Sequence, residues 1–149
     1  MIQGYFVWAS KAIRGQFGDS WLYNQPVLQK FASVIWYSFA LGLASFILEI
    51  IIAIPAGVAA ARKQYSLTDY SITVIALIGI SLPSFFFATI LKWIFAVKLN
   101  WLDLYGIVGR MHQQLSPMGQ FLDIAKHMIM PVLTLTIVSI GSLMRYTRT

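Results

Sequence analysis

The chain has 149 residues, 58% of them apolar and only 11% charged, where an ordinary soluble domain carries about 25% charged residues to cover its surface. With a mean hydropathy of +0.72, the composition excludes a water-soluble globular domain and points to a membrane protein. The complete lack of cysteine excludes disulfides, Cys-type zinc sites, iron–sulfur clusters and thiol nucleophiles, and the net charge of +6 has to be judged by where the charges lie.

Residues 1–33 mix Lys11, Arg14, Asp19 and Lys30 with Tyr5, Phe6, Trp8, Phe17 and Trp21. Ile2, Tyr5, Phe6 and Ala9 fall at helical spacing, so a short interfacial helix is expected, ended by Gly15 and Gly18. A basic n-region followed by an unbroken apolar stretch and a cleavage site is missing, which excludes a signal peptide. From Val34 to Ala61 the only charge is Glu49, and the run exceeds the roughly 20 residues that cross ~30 Å of hydrocarbon as a helix. Arg62 and Lys63 close this first span, and residues 62–69 form a polar turn through Ser66, Thr68 and Asp69. The second span is expected over 70–97, uncharged to Leu91, with Lys92 either snorkelling to the interface or facing a partner helix. A polar connection over 98–127 holds Asp103, Arg110, His112, Asp123 and Lys126 among Gly106, Gly109, Pro117 and Gly119, and reads as a loop with one short helix near 118–126. The third span, 128–144, is uncharged and just long enough to cross, and 145–149 form a polar end. The expected fold is all-α, with three transmembrane helices behind an interfacial N-terminal segment.

Orientation follows from the cations beside the spans. The 62–69 turn and the 145–149 end carry Arg62, Lys63, Arg145 and Arg148, four cations in 13 residues, against six in 63 on the opposite side. The positive-inside rule therefore places these four as cytoplasmic anchors and puts residues 1–33 and 98–127 outside. A 33-residue basic segment that crosses first without a signal peptide implies an export-directing helix upstream. The bare five-residue end after the last span likewise implies a cytoplasmic part downstream. The basic residues form no run or helical face, so nucleic acid is not an expected partner, and anionic membrane lipid is.

Each span has a proline inside it or at its start: Pro55, Pro83 and Pro131. In a bundle the carbonyls they free are met by neighbouring helices or by serines such as Ser81 and Ser84, so these prolines are read first as packing kinks and second as bends shaping a pathway. Ala53, Gly57 and Ala61 recur four apart, a small-residue stripe that lets helix backbones approach. Glu49 is the lone acid inside a span, where a charge costs about 2.5–3.5 kcal/mol, so it requires a partner, a proton or water. His112 and His127 are read as lying apart in the loop without an acid at helical ligand spacing, and no metal site is expected. No phosphate loop, carboxylate pair or Ser/His/Asp arrangement is present, so no catalytic residue is assigned and the chain is not expected to be an enzyme.

Several local patterns, taken in order, resemble one family. Gly15-Gln16-Phe17-Gly18-Asp19-Ser20 with Gln25-Pro26-Val27, then Ile54-Pro55-Ala56-Gly57-Val58-Ala59-Ala60, Ser81-Leu82-Pro83-Ser84-Phe85 and Val97-Lys98-Leu99-Asn100-Trp101-Leu102 match its successive segments. The stretch from His127 to Leu135 around Pro131, followed by Arg145-Tyr146-Thr147-Arg148, completes the series. Together they resemble the inner-membrane permease subunits of dipeptide and oligopeptide ABC importers, including nickel-type relatives, over residues 15–149. Phe86 stands where that family often has Trp, and Asp103 where Pro is common.

The resemblance implies part of the permease core of a type I ABC importer in a bacterial or archaeal inner membrane. Such a subunit works with a second permease subunit, two cytoplasmic ATPases and an extracellular substrate-binding protein; ATP is used by the partners, and the permease itself needs no cofactor. It implies a further helix upstream and cytoplasmic coupling helices with two more spans downstream. The expected pathway residues are Pro55, Gly57, Ser81, Pro83, Ser84 and Phe85, with Glu49 as a polar contact. Two other readings remain open on the residues: a self-contained three-helix assembly or regulatory partner, and a proton-coupled carrier using Glu49.

Overall fold

The computed structural model describes residues 2–149, and almost all of its regular structure is helical. In chain order it contains α1 (Ile2–Ile13), the two-residue strands β1 (Asp19–Ser20) and β2 (Gln25–Pro26), α2 (Val27–Arg62), α3 (Leu67–Ser81), α4 (Ser84–Leu91) and α5 (Pro117–Arg148). Beyond α4 the chain widens into a π-helical segment, Lys92–Lys98. Two of the helices, α2 and α5, are long and apolar enough to cross a membrane, or three spans result if α3 and the Ser84–Lys98 helix count as one.

Contacts divide the chain into two compact units, residues 1–40 and 41–149. In the first, Gly15 and Gly18 take positive φ (+78° and +81°) and carry the chain from α1 into a small hairpin pairing Asp19 with Pro26 and Ser20 with Gln25. Positive φ is cheap only for glycine, which is why α1 stops there. Tyr5, Phe6, Trp8 and Trp21 of this unit are all exposed.

The second unit is held by small residues. Its buried cluster is Ala53, Ala76 and Met144, with Ala56, Ile72, Ile140 and Leu143 against it. The stripe on α2 is Ala53, Gly57 and Ala60, while Ala61 is only half-buried. This departs from the four-residue spacing expected above because a helix turns every 3.6 residues, so a position seven on returns to the contact face and a position eight on drifts off it. A Cβ at Gly57 would meet Thr147 Cβ at 2.5 Å and the Met144 carbonyl at 2.9 Å. Where α3 crosses α5, a Cβ on Gly79 would come 2.7 Å from the Ile137 carbonyl, and one on Gly141 would run into the Ala76 carbonyl. These helices meet backbone to backbone, while Phe46, Ile51, Val74, Ile75 and Leu77 point outward. In water that surface would be untenable; against lipid it is the ordinary state.

Three boundaries differ from the expectation. Helix α2 begins at Val27 and runs unbroken through Pro55, taking in residues assigned to the interfacial segment. Residues 70–97 are not one helix: α3 ends at Ser81 and the next helix leaves at 100°. Leu82 (φ −96°, ψ 139°) and Pro83 (φ −63°, ψ 144°) are both extended, as a proline and the residue before it favour, so the pattern read as a kink is a full break. Helix α5 begins at Pro117, so residues 117–127, assigned to the loop, are its first turns. Ser116 caps it by accepting from the Gly119 N–H, with Pro117 at the first helical position, where its missing donor costs nothing.

Candidate functional site

The break at Leu82-Pro83 aims α4 across α5, and the space left between them is a cavity of about 500 Å³. Ser84, Ala88 and Lys92 line it from one helical face, with Phe85 beside them; His127, Met130, Pro131, Thr134 and Leu135 line it from α5; Asp103 to Gly106 close a third side. Both helical sets follow spacings of three, four and eight, which place residues on one face. Thr134 turns its hydroxyl back to donate to the Met130 carbonyl at 2.9 Å. Pro131 has no N–H, so the His127 carbonyl lacks its usual helical donor at the edge of this space.

The 99–116 connection is fastened to α5 at two places. Asp123 accepts from the Gly109 N–H at 2.9 Å and from His112 Nδ1 at 2.7 Å. Asp103 accepts from Lys126 Nζ at 3.0 Å and lies 3.6 Å from His127 Nε2. His127 donates from Nδ1 to the Asp123 carbonyl at 2.8 Å, so its Nε2 is left buried without a hydrogen-bond partner. This corrects the sequence reading of the histidines. Asp123 stands one helical turn before His127, and the fold brings His112 to the same carboxylate. The usable signal was Ser116-Pro117, which starts the helix early enough to put both on one face. Among the described residues no group of three or more His, Cys, Asp or Glu is placed to hold a metal ion.

At the opposite end of α5, Arg148 Nη2 donates to Asp69 Oδ2 at 2.8 Å, and Nε stands 2.6 Å from Oδ1, off the line of a hydrogen bond. Asp69 is 2% exposed and also accepts from the Tyr65 N–H at 2.9 Å, while Ser66 Oγ accepts from the Asp69 N–H. The carboxyl is held below its ordinary range, first by Arg148 and then by the Tyr65 N–H, and the guanidinium is raised in return. Ser66-Leu67-Thr68-Asp69 is a helix-start pattern, Ser or Thr followed three later by an acid, and it marks Asp69 in the sequence. Nothing in the sequence marks Arg148 as its partner.

The sequence-derived residues are thus distributed unequally. Ser84 and Phe85 line the cavity, and Ser81 and Pro83 flank the break that opens it. Gly57, with Ala53 and half-buried Ala61, belongs to helix packing. Pro55 is exposed on α2, and half-buried Glu49 makes neither a side-chain hydrogen bond nor an ion pair among the described residues. Arg62, Lys63 and Arg145 are exposed, and Arg148 alone of the four anchors is engaged. Lys92, Asp103, His127, Pro131 and Thr134 join the cavity without having been named as pathway residues.

Apolar helices that meet through glycine and alanine, one helix broken at a proline beside a cavity, and large side chains facing outward define a multi-pass α-helical membrane protein of the transport kind. Residues 53–149 match the model of the binding-protein-dependent transport system inner membrane component. The chain belongs to that family and is an inner-membrane protein. It is 32% identical over 145 residues to the oligopeptide transport system permease protein AppB of Bacillus subtilis, covering 97% of this chain and 44% of that one. Against the oligopeptide transport system permease protein OppB the identity is 33% in Haemophilus influenzae and 35% in Escherichia coli K12, each covering 97% of this chain and 43% of the relative. The chain therefore spans less than half the length of these curated relatives.

Proposed function

We propose that the chain is the pathway-forming part of a permease subunit in an ATP-driven importer of di- and oligopeptides. The observation that carries this reading is the broken helix at Ser81–Ser84, which turns Ser84 and Phe85 onto a cavity facing the proline-containing stretch of α5. Family membership and the naming of the relatives as oligopeptide permeases support it. In this reading α2, the bent α3–α4 pair and α5 make three crossings, and residues 1–33 include an interfacial segment. Arg62, Lys63, Arg145 and Arg148 lie on the cytoplasmic side.

The subunit has no ATPase of its own. It pairs with a second permease subunit and two cytoplasmic ATPases and receives solute from an external binding protein, which docks on residues 1–33 and the 98–116 stretch. ATP-driven movement of the ATPases rocks the helices between outward- and inward-open arrangements, and a break such as Leu82-Pro83 lets one half of a span move against the other. Glu49 lies outside the cavity lining, which favours this reading over a proton-coupled carrier.

The test is Pro83→Ala in the full-length subunit, assayed for uptake of a radiolabelled tripeptide and, separately, for assembly with its partners. Uptake should fall several-fold while assembly is retained. Unchanged uptake removes the break from the pathway.

A further inference from the structure

The charged groups around the cavity are unequally satisfied. Asp103 is met by Lys126 at 3.0 Å and faces the His127 ring. Lys92 also lines the cavity, yet among the described residues no carboxylate lies within ion-pair distance of it; its Nζ stands 5.2 Å from the centre of the Tyr105 ring on the opposite wall. A cation above an aromatic face is weakly held and keeps most of its capacity for an anion. Lys92 is also where α4 passes into the π-helical segment, a widened turn that re-aims side chains and recurs at functional sites. Around this cation the walls are the hydroxyl of Ser84 and the apolar faces of Phe85, Ala88, Met130 and Leu135. Largely apolar walls with a few polar groups, the Lys92 ammonium, the Ser84 hydroxyl and His127 Nε2 among them, in a space of about 500 Å³, have the makeup of a small-molecule site.

We propose that this cavity is a carboxylate subsite, with the Lys92 ammonium as counter-ion and the apolar walls taking the chain that adjoins the carboxylate. The proposal rests on the pathway reading for its natural ligand, since a peptide with a free C-terminus supplies such a group. It makes Lys92 a specificity residue rather than a cation that snorkels to the membrane surface.

The experiment is calorimetric titration of the full-length subunit assembled with its partners in nanodiscs of phosphatidylcholine, a lipid without net charge to compete. The probes are trialanine and trialanine amide, then hexanoate and hexanamide. Trialanine should bind about tenfold more tightly than its amide, the loss expected when a charge-assisted contact goes. Lys92→Met should abolish that preference and Lys92→Arg should keep it. Lys98→Met, at a cation that stands over Trp93 and does not line the cavity, should leave it unchanged. Equal binding of acid and amide in both pairs, a preference that survives Lys92→Met, or no binding by any probe overturns the subsite. A preference for hexanoate over hexanamide with no binding of trialanine upholds the subsite and overturns the peptide reading instead.

Discussion

The two halves of α5 differ in how closely they approach their neighbours. Its second half meets α3 and α2 through Gly141, Met144 and the backbone beside Gly79 and Gly57, so closely that a single methyl group would collide. Its first half reaches its neighbours through side chains, with Asp123, Lys126 and His127 spanning to the 99–116 connection, and there the cavity remains. Glycine contacts bring helix axes together and leave only a small space of about 70 Å³ between α3 and the end of α5. Hydrogen-bonded side chains act as spacers, and their strength depends on charge state. One half of the helix is packed close against its neighbours, and the other is a cavity wall spaced by side chains.

The largest effect should come from filling the tight half. Gly141→Leu places a side chain against the Ala76 carbonyl and Ile80 and should cost about 1–3 kcal/mol or more, read as a lowered unfolding midpoint in detergent. If Gly141→Leu were tolerated, the close packing of α3 on α5 would not hold. Next in size is Arg148→Met, which takes the cationic partner from the buried Asp69 carboxylate while leaving the Tyr65 N–H in place. Hydrogen exchange should show the α3 start loosened, and Asp69→Asn combined with Arg148→Met should lose less than the two single changes summed.

A smaller effect belongs to the cavity half. The Asp123 carboxylate is what ties the Gly109 N–H and His112 to α5. In Asp123→Asn the Gly109 amide should therefore be less protected from hydrogen exchange than in the parent chain. The smallest loss is expected from Glu49→Gln, which removes no hydrogen bond or ion pair made by the described residues and takes an acid out of a span, so the unfolding midpoint should not fall. A large loss there would move the centre of the molecule toward α2.

What was legible in advance follows the same division. Apolar runs longer than a bilayer crossing are a property of the sequence alone, since hydrocarbon forces the backbone to satisfy itself as helix wherever water is excluded. Composition, the small-residue stripe at Ala53 and Gly57, and the proline at position 83 therefore indicated a helical membrane protein, a packing face and a bend. The ordered motifs from residue 15 onward indicated the family. The angle of that bend was not legible: a proline ends one helix, but how far the next swings depends on what it packs against, here α5.

Nor were the pairings legible. Asp69 and Arg148 lie 79 residues apart, and Asp103 and Lys126 lie 23 apart. A charge in sequence carries its own cost but no information about the distant group that offsets it. The sequence by itself determined that the long apolar stretches are helical and face lipid, because that depends on local apolarity and spacing, but not where those helices begin at Val27 and Pro117 or break at Ser81. Only the tertiary structure decided that Lys92 shares a cavity with His127 while Glu49 does not, because that depends on which helix faces lie opposite each other in space.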